Sequence, residues 1–130
     1  MAPIRAITTE GAPAAIGPYS QAVEGGGLIF LSGQIPIDPA TGEVLQGGIT
    51  EQSRQVFRNL EAVLSAAGSG FSGVLKCTVY LRDLGDFEAL NQVYAEVFDP
   101  PHPARATVEV SRLPRDVLVE IDAVALRLDA

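Results

Sequence analysis

The sequence predicts an α+β fold in which two helices cover one face of a six-stranded, mainly antiparallel sheet. Segments near both ends of the chain alternate between apolar and polar residues, which is the period of a half-buried strand. Two longer segments in the middle repeat their apolar residues every three or four positions, as an amphipathic helix does. Read in order, these segments give βββ-α-β-α-ββ, an arrangement that two helices on one side of a sheet can satisfy.

The first three strands are predicted before residue 35. Residues 4–8 form a short strand, and a loop rich in glycine and proline follows at residues 11–20. Two apolar segments, S-Q-A-V-E and L-I-F-L-S, flank three consecutive glycines, which predicts a hairpin. The segment P-A-T-G-E, residues 39–43, predicts a further turn.

The helical period begins near residue 50. Thr50 is the predicted N-cap of the first helix, and Gly68 is its predicted stop. Asp86 is predicted to cap the second helix, which ends before the prolines at residues 100–103. Each helix carries one apolar stripe, so each is expected to pack against the sheet.

Three more strands complete the predicted sheet. The segment V-L-K-C-T-V-Y-L alternates, which places Cys77 inward with Leu75 as an inert core thiol. The last two strands are expected near residues 105–110 and 117–127. The final strand is apolar on both of its sides, so the face without helices needs cover, and copies of the same sheet are its simplest source.

Composition limits the possible functions. A chain of 130 residues predicts one domain, residues 1–130, and 47% hydrophobic residues can build its core. A net charge of -7, with no basic run, argues against nucleic acid as a partner. One cysteine allows no intramolecular disulfide, and neither a signal peptide nor a membrane-length apolar stretch is visible. These features predict a soluble, cytoplasmic protein with no membrane partner.

Two residues of opposite charge lie in segments that are otherwise apolar enough to be buried strands. Arg105 lies in H-P-A-R-A-T-V-E-V, and Glu120 lies in V-L-V-E-I-D-A-V-A-L. A buried charge is costly unless it is paired or used. A guanidinium can bind a carboxylate through two hydrogen bonds, and a glutamate can activate water. Spacing alone leaves two interpretations, a pocket for a carboxylate-bearing substrate or a structural ion pair. If the two strands are neighbours, both side chains are expected on one side of the sheet.

Several segments together resemble the reactive intermediate/imine deaminase family, also called the RidA or YjgF/YER057c/UK114 family. They are I-G-P-Y-S-Q-A, L-S-G-Q-I-P, N-Q-V-Y-A-E-V-F, P-A-R-A-T-V-E-V and L-P-R-D-V-L-V-E-I-D-A-V-A, in this order along nearly the whole chain. The resemblance implies a chorismate-mutase-like fold and a homotrimer whose sheets form a central barrel. It also implies clefts between subunits, in which 2-imino acids derived from 2-aminoacrylate-type enamines are hydrolysed to 2-oxo acids and ammonia, without a cofactor. This activity is that of a 2-iminobutanoate/2-iminopropanoate deaminase.

The resemblance also assigns site residues. By motif, Arg105 corresponds to the arginine that binds the substrate carboxylate, and Glu120 to the acid beside the attacking water. The residues expected to line the pocket and bind substrate are Tyr19, Ser32, Gly33, Asn91 and Thr107. Thr107 stands where the best-known members carry cysteine, which removes a reactive thiol and changes the polarity of the pocket.

Other interpretations remain open from sequence. The same clefts could hold small carboxylates for regulation without turnover, and an endoribonuclease activity has been attributed to parts of the family. Ser32 is expected to supply a hydrogen bond, because a Ser/His relay would depend on His102, the one histidine, in P-P-H-P. No spacing of Cys and His predicts a metal site.

Overall fold

A computed structural model describes residues 3–129 and contains two helices and a mixed six-stranded sheet. The helices are α1 (Ile49–Ala66) and α2 (Phe87–Val97). The strands are β1 (Arg5–Ile7), β2 (Ala22–Gly25), β3 (Leu28–Gln34), β4 (Ile37–Asp38), β5 (Glu43–Val44), β6 (Val74–Leu81), β7 (Ala104–Glu109) and β8 (Val119–Leu126). The short strands β4 and β5 form a separate hairpin around the predicted turn. The predicted α+β class is therefore confirmed.

The strands of the main sheet lie in the order β1-β2-β3-β8-β6-β7. Neighbouring strands are antiparallel except β6 and β7, which are parallel. Helix α2 connects that parallel pair, because a parallel neighbour requires a crossover rather than a hairpin. Strand β6 lies between β7 and β8, so the strands that carry Arg105 and Glu120 are not adjacent.

One face of the sheet packs against the helices and forms the core. On β8 the alternation is as predicted, since Val119, Ile121, Ala123 and Ala125 are all buried. An aromatic cluster of Phe57, Phe71, Tyr94 and Phe98 fills the space between α1 and α2 with edge-to-face contacts.

The opposite face of the sheet has no helix on it. Phe30, Val108 and Leu126 lie on this face and are 53%, 41% and 42% exposed. These side chains agree with the expectation that the face is apolar and needs cover. None of the helices within residues 3–129 is both long and apolar enough to cross a membrane.

Three local predictions need correction. Helix α1 begins before Thr50, because Gly48 is its N-cap and the Glu51 carboxylate accepts the Gly48 N–H at 2.8 Å. Asp86 is the N-cap residue of α2 as predicted, but its side chain makes no capping hydrogen bond. Leu75 is 43% exposed, since a register shift between Val74 and Lys76 interrupts the alternation of β6.

Candidate functional site

The predicted site residues form two groups on opposite faces of the sheet. Arg105 pairs with Cys77 of β6, which in turn pairs with Ala123 of β8, and this row faces the helices. Glu120 pairs with Tyr80 and lies three positions from Ala123, so its side chain points to the helix-free face. The expectation that Arg105 and Glu120 share one side depended on neighbouring strands, and this condition is not met because β6 lies between β7 and β8. The two side chains point to opposite faces because the register places Glu120 an odd number of positions from Ala123, the β8 residue in the row of Arg105.

The first group surrounds Arg105 on the edge strand β7. Its guanidinium donates a hydrogen bond from Nη1 to Asn91 Oδ1 at 2.7 Å. The Cζ atom lies 4.7 Å from the ring centroid of Tyr94 and 5.5 Å from that of Phe87. All three partners belong to α2, whose 3.6-residue period brings them onto the side that faces β7. The amide and the rings hold the cation in one orientation, and no carboxylate neutralises it among the described residues.

Thr107 lies on the same side of β7 as Arg105, two residues further along. Its Oγ1 is buried and has no hydrogen-bond partner in the described part of the chain. A buried hydroxyl without a partner is costly, so a ligand atom that hydrogen-bonds to it would be favoured. Beneath this group, burial raises the pKa of the Cys77 thiol to about 11. Cys77 is therefore the inert core thiol that the sequence predicted.

The second group surrounds Glu120 on the helix-free face. Its carboxylate lies directly over Gly33 of β3, where a β-carbon would come within 2.9 Å of the glutamate Cδ. Glycine suits position 33 because Glu120 occupies the space that a side chain would take there. Burial, and then the neighbouring Asp122 carboxylate, raise the pKa of Glu120. No residue in the range 3–129 donates a hydrogen bond to this carboxylate, so its oxygens remain available.

Tyr19 and Ser32 belong to this second group. Together with Glu120 and Gly33 they line an open cavity of about 430 Å³, whose other walls are Ile16, Ile35 and Pro114. The Ser32 hydroxyl donates to the Ser20 carbonyl at 2.6 Å, so it serves as a hydrogen-bonding group that fixes the loop. Tyr19 is 53% exposed and its hydroxyl accepts the Ile16 N–H at 3.4 Å. The seven predicted site residues thus form two half-sites, one around Arg105 and one around Glu120.

Gln21 positions the Tyr19 loop, and the sequence analysis missed it. Its side chain is 97% buried, its Oε1 accepts the Thr9 N–H at 2.7 Å, and its Nε2 donates to the carbonyls of Thr9 and Pro13 at 3.0 and 2.8 Å. One amide therefore ties together both ends of the loop that precedes β2. A glutamine in a segment read as a strand gave no signal for this role, because its partners are backbone groups.

Polar residues on the sheet-facing side of α1 were also missed. Asn59 is fully buried, and its Nδ2 donates to the carbonyls of Ile35 and Ile37 at 3.2 and 3.0 Å. Gln52 accepts the Leu118 N–H at 2.9 Å. These bonds fix the segments after β3 and before β8, so they hold the walls of the cavity beside Glu120. The interruption of the α1 apolar stripe by amides is the sequence signal that could have revealed them.

Replacement of Gly33 by alanine is expected to displace Glu120 while the fold survives. The new β-carbon would collide with a flexible carboxylate rather than with backbone, so the free energy of unfolding should fall by only about 1 kcal/mol. A displacement of about 1 Å at a catalytic group can reduce the rate about 100-fold. Thermal melts measure the first effect, and the rate of the imine hydrolysis that the family resemblance implies measures the second.

Gly70→Ala is the matched control for that variant. Gly70 has extended backbone, and a β-carbon there would meet no atom within 4 Å. It should leave both the melting temperature and the rate near those of the wild type. An equal loss of rate in Gly33→Ala and Gly70→Ala would contradict the placement of Glu120 over Gly33. Full activity in Gly33→Ala would contradict it as well.

Comparison with known proteins assigns the family. The Endoribonuclease L-PSP family model matches residues 9–127. A RutC family protein of Pyrococcus horikoshii is 56% identical over 121 residues, which cover 93% of this chain and 96% of the relative. The 2-iminobutanoate/2-iminopropanoate deaminase of Capra hircus is 47% identical over 123 residues, which cover 95% of this chain and 90% of the relative.

Solved structures agree with these relatives. The Rid protein family member YyfA from Yersinia pestis superposes with a TM-score of 0.93 at 44% identity, covering 95% of this chain and 98% of that one. The structure of E. coli TdcF with bound serine superposes with a TM-score of 0.90 at 43% identity, covering 95% of this chain and 99% of that one. These matches, which cover nearly the whole chain, lead to one conclusion. The chain belongs to the Rid family, also known as the RidA/YjgF/UK114 family.

Proposed function

We propose that this protein hydrolyses 2-imino acids to 2-oxo acids and ammonia. The observation that carries the proposal is the fixed, unneutralised guanidinium of Arg105, together with a half-buried carboxylate at Glu120 whose oxygens are free. The first group suits the carboxylate of a small acid, and the second suits a water molecule. The named activity of the goat relative, at 47% identity, supports the same assignment.

The reaction needs positioning more than strong chemical activation. The imine carbon is already electrophilic, and it becomes more so when the nitrogen is protonated. Arg105 would hold the substrate carboxylate and thereby fix the carbon that water attacks, which removes entropy from the barrier. Glu120 would accept a proton from that water as it adds to the C=N carbon. Return of the proton to nitrogen then lets ammonia leave as the carbonyl forms.

Both half-sites are needed, and they lie on opposite faces of one chain. We infer that they meet between copies, with the Arg105 half-site of one subunit facing the Glu120 half-site of the next. Strand β7 is an edge of the sheet, and the helix-free face exposes Phe30, Val108 and Leu126, so both surfaces are suited to a second copy. The homotrimer with a central barrel implied by the family resemblance would bring the two half-sites together at three clefts.

A second candidate function uses the same clefts without turnover. The related TdcF structure contains bound serine, which is a small carboxylate and is not an imine. A cleft that holds such a ligand for regulation would need Arg105 and the unpartnered Thr107 hydroxyl, but it would not need Glu120 as a base. Tight binding of serine or a 2-oxo acid without hydrolysis of imines would favour this candidate.

The test generates imines in place and follows their decay. An amino-acid oxidase with catalase releases 2-iminopropanoate from alanine, and semicarbazide traps the imine that has not yet been hydrolysed. We expect the protein to reduce trapping and to accelerate release of 2-oxo acid and ammonia in proportion to its concentration. Trapping that is unchanged at every protein concentration would refute the proposed hydrolysis.

A further inference from the structure

Arg115 is a second guanidinium beside the Glu120 half-site, and neither the sequence nor the family comparison assigns it a role. It lies in a short turn between β7 and β8, where Arg115 and Asp116 both have left-handed backbone, with φ of 56° and 57°. This conformation is uncommon and costly for residues other than glycine. The turn places the Arg115 side chain against a cavity of about 260 Å³.

That cavity adjoins the one beside Glu120. The two share four lining residues, namely Ile16, Tyr19, Gly33 and Ile35. Glu120 lines one of the two spaces and Arg115 lines the other. A substrate whose imine carbon lies near the Glu120 carboxylate therefore has room to extend its side chain toward the Arg115 guanidinium.

The charge of Arg115 is not neutralised within the described chain. Four of the eight arginines form ion pairs with carboxylates, and they are Arg5, Arg54, Arg112 and Arg127. Arg112, in the same loop, pairs with Asp116 at 2.9 Å. Arg115 makes one hydrogen bond, to the Gly42 carbonyl at 3.3 Å, which leaves most of its donors free. A free guanidinium at a cavity is suited to bind a carboxylate.

We propose that Arg115 makes the site selective for 2-imino dicarboxylates, the imines that correspond to acidic amino acids. The inference rests on the proposed function, since the reaction is the same. Water adds to the C=N carbon, that bond is replaced by C=O, and the nitrogen leaves as ammonia. Arg105 binds the carboxylate next to the imine, and Arg115 binds the distal carboxylate. Neither carboxylate changes in the reaction, so Arg115 is a specificity residue.

The experiment compares two imines in the wild type and in variants of one loop. Glutamate oxidase generates 2-iminoglutarate, and an alanine-oxidising enzyme generates 2-iminopropanoate. We expect Arg115→Ala to lower kcat/KM for 2-iminoglutarate about tenfold relative to that for 2-iminopropanoate, through a higher KM. Arg115→Lys should lower kcat/KM for 2-iminoglutarate by less, because lysine keeps the positive charge although it lacks the planar guanidinium that binds a carboxylate through two hydrogen bonds. Arg112→Ala removes a paired arginine from the same loop. It should leave unchanged the ratio of kcat/KM for 2-iminoglutarate to kcat/KM for 2-iminopropanoate.

The outcomes separate this inference from the proposed function. A wild type that hydrolyses 2-iminopropanoate but not 2-iminoglutarate overturns the role of Arg115 and leaves the hydrolase assignment intact. Equal losses on both imines in Arg115→Ala also overturn it, since they indicate a role in the structure of the loop. A wild type inactive on both imines overturns the proposed function and this inference with it.

Discussion

Arg105→Ala is expected to lower kcat/KM for 2-iminopropanoate by roughly 10²–10⁴-fold, mostly through KM. The variant loses two charge-assisted hydrogen bonds to the substrate carboxylate, and each such bond is worth about 1.5–3 kcal/mol. The guanidinium is already fixed by Asn91 and by the rings of Phe87 and Tyr94, so little entropy is lost when substrate binds. Initial rates measured at several rates of imine generation, in competition with semicarbazide trapping, give kcat and KM.

Two further variants show whether the charge or the packing of Arg105 is responsible. Arg105→Met keeps the aliphatic stem on the aromatic rings and should be as inactive as Arg105→Ala, although it should be more stable. Arg54→Ala removes an exposed arginine paired with Glu96 and should leave the rate unchanged. Full activity in Arg105→Met would show that the guanidinium does not bind the substrate.

Glu120→Gln is expected to lower kcat about 100-fold while the fold and substrate binding persist. The amide occupies the same space over Gly33, but it cannot accept a proton from water, and general-base catalysis contributes roughly 10²–10⁴-fold. The pH profile is the diagnostic measurement. Because burial and Asp122 raise the pKa of Glu120, wild-type kcat should fall as the pH drops through that raised pKa, at a higher pH than an ordinary glutamate would give. Glu120→Gln should lack this acidic limb.

Asp122→Asn is the matched control on the same face of β8. Asp122 accepts a hydrogen bond from the Tyr80 hydroxyl at 3.1 Å, and the asparagine oxygen can accept it as well. Because the Asp122 carboxylate raises the pKa of Glu120, its removal should keep the rate and shift the acidic limb to lower pH. An acidic limb that survives unchanged in Glu120→Gln would assign it to another group.

The elements that sequence predicted well are those whose pattern is local. The alternation on β8 and the apolar stripe of α1 each result from a core on one side, so their inward residues were identified correctly. Leu75 was misplaced because a register shift in β6 depends on the partner strand, which one segment does not reveal. Helix α1 begins earlier than predicted because the Glu51 carboxylate, inside the helix, accepts the N–H of the N-cap residue Gly48.

The candidate site was harder to predict because it depends on sheet order. Arg105 and Glu120 were identified as residues, but their relative faces were not, since these depend on the register in which β7, β6 and β8 pair. Gln21 and Asn59 were missed because the groups that they hold in place are backbone carbonyls and N–H groups in other segments of the chain. The correction matters for function, because half-sites on opposite faces point to a site shared between copies.

The most direct test of that shared site is complementation between two inactive variants. Arg105→Ala and Glu120→Gln chains, carrying different tags, are co-expressed, and oligomers that contain both are purified in tandem. If each cleft takes Arg105 from one subunit and Glu120 from the next, every mixed trimer has one intact cleft, and about one third of wild-type activity should return. Activity no higher than that of either variant alone would show that both side chains must come from the same chain, and would contradict the account.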